Sequence, residues 1–157
     1  MHLAEIGIDP RSGSVRMQRH RLSGPDGDPR DEYYFIASME TLRELARRTG
    51  KYGGTLPPVF EDNEDGSARS CTVEVVRTDW NARASYSVEL SYLTGFRAQG
   101  EPGGFLDRSQ RDQLAAIAES GALRQAFLHE IGSLYYSVED AHVEAVVNEA
   151  TAREDAQ

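Results

Sequence analysis

The apolar pattern of this chain changes period once, and that change constrains the fold more than any other feature. Two runs, Ser70 to Thr78 and Ala84 to Leu93, alternate in steps of two. Cys71, Val73 and Val75 oppose Thr72, Glu74 and Val76, and Tyr86, Val88, Leu90 and Tyr92 oppose Ser85, Ser87, Glu89 and Ser91, as expected for a hairpin with one buried face. From Asp107 onward Leu114, Ile117, Ala118, Leu123, Phe127, Leu128, Ile131 and Leu134 recur at spacings of three and four, the helical period. Strands first and helices last imply an α+β domain. The sequence is read as antiparallel hairpins in one sheet over 1–106, with a helix after the third strand, then two or three C-terminal helices over 107–152 and a frayed tail at 153–157. With 157 residues, one domain can bury a genuine core.

Turn chemistry sets the remaining elements. Leu3 to Ile8 and Ser14 to Leu22 flank Asp9-Pro10-Arg11-Ser12-Gly13 and read as a first hairpin. In its second strand Val15 and Met17 face one way, and Arg16, Gln18 and His20 form an exposed basic face. Ser23 to Asp31 is a Gly- and Pro-rich loop, and Tyr33 to Ala37 a short strand. Ser38 caps a helix through Arg48 with Leu42, Leu45 and Ala46 inward and Gly50 as its stop. Gly50 to Gly54 and Pro57-Pro58 read as loop, as does Gly95 to Gly104. Ser109 with Asp112, and Ser137 with Asp140, have the form of capping boxes, and Gly121 and Gly132 punctuate the helices. The last helix is expected to bury Val138, His142, Ala145 and Val146 along one stripe.

Chemistry is sparse by comparison. Cys71 is the single cysteine, so no intrachain disulfide forms, and a reducing, cytoplasmic setting follows. No apolar run approaches the roughly 20 residues of a membrane span. Glu61-Asp62-Asn63-Glu64-Asp65-Gly66 has alternating oxygen ligands before a glycine, but a calcium loop needs Asp first and a bidentate Glu at its twelfth position, where Thr72 stands. His129-Glu130 lacks a second histidine one turn on, since that position is Ser133, so no zinc site is expected. His142 is too far along the chain to complete one. Gly50-Lys51-Tyr52-Gly53-Gly54-Thr55 follows a helix rather than leading into one, which removes its use as a phosphate cradle. No Gly-x-Ser-x-Gly elbow occurs, and no catalytic residue, metal or cofactor is assigned.

Charge remains. The chain has 26 acidic and 17 basic residues, a net charge of -9, and every basic residue but Lys51 is Arg, a bias that fits a GC-rich bacterial or phage genome. Acid gathers at Glu61, Asp62, Glu64 and Asp65, and on the last helix at Glu139, Asp140 and Glu144. Asp140 and Glu144 stand one turn apart and are expected to project into solvent together. Trp80, at the tip of the second hairpin, is an aromatic anchor of the kind binding surfaces use, as are Tyr33 and Tyr34. The function expected from this pattern is that of a non-enzymatic acidic binding protein that neutralises a basic partner, such as a nuclease or nucleic-acid-binding complex, in the manner of immunity proteins or phage-encoded inhibitors. The alternatives are a self-associating phage or mobile-element assembly protein and a small enzyme with a dispersed site. Arg11, Arg16, Arg19, His20 and Arg21 near Tyr33 and Tyr34 also form a candidate nucleic-acid strip, opposed by the overall charge, so direct nucleic-acid binding is not expected.

Overall fold

A period-two pattern becomes a strand wherever one side can be covered, and a period near 3.6 becomes a helix wherever a stripe can be buried. In the computed structural model, which describes residues 8–23, 27–93 and 110–156, both outcomes occur as expected and the chain is α+β. The elements are β1 (Val15–Ser23), β2 (Pro29–Ala37), α1 (Met39–Arg48), β3 (Tyr52–Thr55), β4 (Val59–Asp62), β5 (Ala68–Arg77), β6 (Ala84–Glu89), α2 (Gln110–Ala126), α3 (Leu128–Ile131), β7 (Leu134–Tyr135) and α4 (Val138–Asp155). The strands sort into two sheets, one of order β1-β2-β7, the other built on β5 with β3 and β4 along one edge and β6 along the other.

The β5–β6 hairpin is the one the alternation specifies. Cys71, Val73 and Val75 are buried, as are Ala84, Tyr86 and Val88, with Cys71 directly across from Val88 and Val73 from Tyr86. The second run is shorter than its sequence pattern, since the strand ends at Glu89 and Leu90 begins a turn. α2 lies over this buried face. It is covered on nearly all sides, because its Leu114, Ile117, Ala118, Ala122 and Leu123 meet the sheet while α1, α3 and α4 close the rest. Gly121 is not a break in this helix but the point of closest approach to the sheet: a Cβ there would overlap the Tyr86 ring.

Several expectations need correction. Strand pairing reaches into the segment read as loop, since β1 runs to Ser23 and β2 begins at Pro29, and the two pair through all nine residues of each. Pro10–Ser12 is a 3₁₀ turn capped by Asp9, and Leu3 to Gly7 lie outside the described residues. The faces of β1 are mixed, for Val15 is buried and Arg16 exposed as expected, but farther along His20 is 3% exposed and Met17 62%. The Gln18–His20 side turns toward the body of the protein, where Tyr34, opposite Gln18, meets the Tyr135 ring edge-on at 5.8 Å. The segment read as loop after Gly50 supplies β3 and β4, because β5 is ten residues long and its second edge offers backbone partners to any chain beside it. Gly95 to Gly104 and Ser109 lie outside the described residues.

Two of the three caps read from sequence are in place. Ser38 Oγ accepts the Thr41 N–H at 3.2 Å, Ser137 Oγ accepts the Asp140 N–H at 3.1 Å, and Gly50, at φ 72°, follows the end of α1. Gly132 closes α3 as expected.

Cys71 is fully buried, and burial pushes its thiol up to about 11. It should react with an aromatic disulfide reagent only as fast as the protein opens, which stopped-flow absorbance in rising denaturant would show. Replacing Gly121 with Ala should destabilise the fold by about 1–3 kcal/mol, measured by chemical denaturation, because the added methyl has nowhere to go.

Candidate functional site

The positions expected to form one docking surface do not converge. Glu61 and Asp62 end β4, and Glu64 and Asp65 form the turn into β5. Trp80 lies in the turn that leaves β5. Ten residues at about 3.3 Å each separate those two turns by roughly 30 Å. α2 runs alongside, with Arg111 near its start 2.7 Å from Asp62 and the Ala126 carbonyl at its end 2.6 Å from Arg77.

At the acidic end the chain supplies its own cations. Glu61 is paired with Arg69, and Asp62 with Arg111, whose guanidinium also lies 4.9 Å from the centre of the Phe60 ring. Asp65 accepts the Ser67 N–H at 2.9 Å and its hydroxyl at 2.5 Å, which hold its carboxyl below the usual range. That bonding is turn chemistry, and of these four only Glu64 has neither a hydrogen bond nor a cation among the described residues. At the opposite end Trp80 is 43% exposed, with the Arg77 guanidinium 5.0 Å from its ring. Arg77 also grips Asp79 at 2.7 Å and stacks 5.3 Å from Phe127, so Trp80 is half-exposed over an anchored cation.

The last helix overturns the solvated-face expectation. Asp140 and Glu144 do share a face, but that face points inward. Asp140 is fully buried and takes Arg124 bidentately, at 2.7 and 2.8 Å, while Arg124 Nε donates to Glu144 at 3.0 Å. The remaining valences are filled: Asp140 accepts Ser120 Oγ–H at 2.6 Å and the Tyr136 N–H at 2.8 Å, and Glu144 accepts the Tyr135 hydroxyl at 2.6 Å. Burial works against the charge of Arg124, but the two carboxylates outweigh it and its pKa is raised. Tyr135, desolvated and bonded to Glu144, is raised as well, and Tyr86, beside the same guanidinium, is pushed up to about 12 by burial. Asp140 and Glu144 therefore belong to the scaffold. Glu139, one position round, is only half-covered and has no cation partner among the described residues. The expected apolar stripe shifts likewise, to Val138, Ala141 and Val143, and Ala145 is exposed.

Two clefts open beside α1. The smaller, about 270 Å³, is lined by Met39, Val73, Ala115, Arg43, Glu119 and Tyr136, among others, and its polar wall is a bidentate pair, Arg43 to Glu119 at 2.7 Å through each nitrogen. The larger, about 490 Å³, lies between Ile8–Ser14 and α1. Neither is lined by His129, Glu130 or His142. Among the described residues no three His, Cys, Asp or Glu side chains are placed to hold a metal ion, and no helix is long and apolar enough to cross a membrane.

What sequence reading gave least weight is the outer face of the β1–β2 hairpin. Directly paired residues share a face, so Met17 with Phe35, Arg19 with Tyr33 and Arg21 with Asp31 lie on one side. Met17 and Tyr33, at 62% and 60%, are among the most exposed large apolar side chains of the described residues. Arg19 and Arg21 flank Tyr33 and lie 4.0 and 3.1 Å from Asp31. Arg16 is exposed and has no carboxylate within ion-pair distance among the described residues. The two strands bear four Arg against Asp31 and Glu32, a local excess of positive charge in a strongly acidic chain. The signal was present in the alternate spacing of Arg19 and Arg21, but the pattern had placed His20 outward and Met17 inward. No protein-family model matches the chain, and no curated protein is similar to it in sequence.

Removing one partner of the buried cluster should be costly: Asp140→Ala or Arg124→Met is expected to lose about 3–5 kcal/mol in denaturant titrations, with the double variant losing less than the sum. His142 should make the protein acid-sensitive. Burial lowers its pKa, a backbone bond to Tyr92 opposes that, and nearby His20 lowers it further. The unfolded chain then takes up the proton first, so stability is full above the ordinary histidine value near 6.5 and falls as pH drops through it. His142→Leu should flatten that part of the pH–stability curve.

Proposed function

We propose that this protein is a non-enzymatic binding protein that engages an anionic polymer, single-stranded nucleic acid in chemical class, along the outer face of its β1–β2 hairpin. The observation that carries the reading is the exposed Tyr33 ring flanked by Arg19 and Arg21 on a face that also exposes Met17. An open aromatic ring is a stacking platform for any base, and flanking guanidinium groups follow a phosphate backbone. The net charge of -9 opposes this at long range, but salt screens it beyond about 10 Å, and at contact distance the two strands of the hairpin present four Arg against two carboxylates.

A second reading keeps the acidic protein that docks on and neutralises a basic partner, in the manner of an immunity protein or phage-encoded inhibitor. It is favoured by a different observation. Among the described residues every Arg but Arg16 lies within 4.0 Å of a carboxylate, so much of the surplus charge on the surface is carboxylate: Glu64, Glu139, Glu154 and Asp155 have no cation partner. Such groups steer a basic surface toward the chain and give the association its salt dependence.

One pair of variants separates the two. Fluorescence anisotropy with a labelled oligothymidylate at low salt should show binding that Arg19→Glu/Arg21→Glu weakens at least about tenfold, with a shallower salt slope, each lost phosphate contact removing about 0.7 from it. Tyr33→Ala should cost about 1–3 kcal/mol and leave the slope unchanged. If the wild type does not bind, or binds like the variants, the hairpin reading fails. A basic protein recovered at low salt and lost with Glu64→Lys/Asp65→Lys would then support the acidic one.

A further inference from the structure

The smaller cleft beside α1 has the construction of a ligand pocket, and the hairpin reading makes no use of it. One stripe of α2 forms a wall: Asp112, Ala115, Ala116 and Glu119 stand at i, i+3, i+4 and i+7, and all four line the cleft. Two helical turns, roughly 10 Å, separate the two carboxylates, with only the alanine methyl groups between them on that stripe. Those small side chains make the depth. Met39 from α1, Leu56 and Pro58 from the β3–β4 connection and Val73 from β5 complete the apolar lining.

The polar end is fixed before any ligand arrives. Glu119, 8% exposed, holds Arg43 through both its oxygens at 2.7 Å and takes the Thr55 hydroxyl at 3.4 Å, and Thr55 is bonded in turn to the Tyr52 hydroxyl at 2.6 Å. Within the pair the charges of Glu119 and Arg43 cancel. Asp112, exposed at the other end of the stripe, adds a second carboxylate, so the charged groups of the lining are two negative and one positive. A complementary ligand carries one positive charge.

Volume then selects size. A cleft of about 270 Å³ has room for about nine non-hydrogen atoms at roughly 30 Å³ each. An ammonium group suits the Asp112 end, because there it gains a charge-assisted hydrogen bond while staying beside water, which keeps its desolvation cost small. An anion would meet Asp112 and a Glu119–Arg43 pair already closed on itself.

We propose that this cleft binds a small organic amine, one ammonium group on an apolar body of about nine non-hydrogen atoms in all, with the ammonium on Asp112 and the body over Ala115 and Ala116. The site is apart from the outer face of the hairpin and stands whether or not that face binds nucleic acid.

The test is a titration of the isotope-labelled full-length chain with phenethylamine, followed by NMR through its amide shifts. Saturable shifts should centre on the residues that line the cleft. Phenethyl alcohol, equal in size but uncharged, should bind about tenfold more weakly, and phenylacetate should not bind. Asp112→Asn should weaken the amine about tenfold and leave the alcohol unchanged, which ties the charge preference to that carboxylate. Ala116→Leu should remove binding of both, since the larger side chain occupies the space. Asp112 is exposed and Ala116 half-buried, so both variants should unfold thermally as the wild type does. An amine that gives no saturable shifts, an anion bound as tightly as the amine, or a folded Ala116→Leu chain that binds both ligands unchanged would overturn the inference.

Discussion

The bidentate grip of Arg124 on Asp140 ties together parts of the chain that are distant in sequence. Arg124 comes from α2, the helix that covers the β5–β6 sheet, and Asp140 and Glu144 come from α4. The guanidinium also stacks 4.6 Å from the Tyr135 ring on β7, and β7 is the strand that continues the β1–β2 sheet. The cluster therefore helps set the position of the hairpin relative to the main sheet, together with Val15, Phe35 and Ala37, which join the hydrophobic core of that sheet. Such a cluster adds little net stability over a well-packed apolar one, because three charges must be stripped of water. Its value lies in direction: a guanidinium with its donors committed to two carboxylates allows one arrangement of α2, β7 and α4, where an apolar contact would allow several.

A second pair works similarly at lower stakes. Arg43 on α1 holds both oxygens of Glu119, which also receives the Thr55 hydroxyl at 3.4 Å, and so links α1, α2 and β3. The hydrogen bond to Glu119 keeps Arg43 charged against partial burial. Together the two clusters explain why an Arg-rich chain leaves so few guanidinium groups free. Bidentate donors suit buried carboxylates, while four of the exposed Arg side chains stand together on the β1–β2 hairpin.

This division shapes the surfaces. The strands of the β1–β2 hairpin expose Met17 and Tyr33 and carry four Arg against two carboxylates. β4 and the turn after it carry four carboxylates, of which Glu61 and Asp62 are held by Arg69 and Arg111. Tyr34, by contrast, is drawn into the scaffold by Tyr135 and by its bond to Glu32, and burial pushes its phenol up to about 12.

The sequence by itself determined what depends on neighbours a few residues apart. Alternation in Cys71 to Val75 and Ala84 to Val88 made the central hairpin, the spacing of Leu114, Ile117 and Ala118 made the long helix, and Ser38 and Ser137 marked helix starts through bonds to the third residue on. Only the tertiary structure decided which way those elements faced. A carboxylate pair one turn apart looks the same on paper whether it meets water or an Arg sixteen positions back, and Asp140 and Glu144 met Arg124. A strand such as β1 has two faces, and which of them is wet depends on what packs beside it, so His20 went in and Met17 out. The short strands β3 and β4, rich in turn residues, exist because β5 had an unpaired edge to fill. In each case the deciding partner was distant in the chain, and a local pattern carries no record of it.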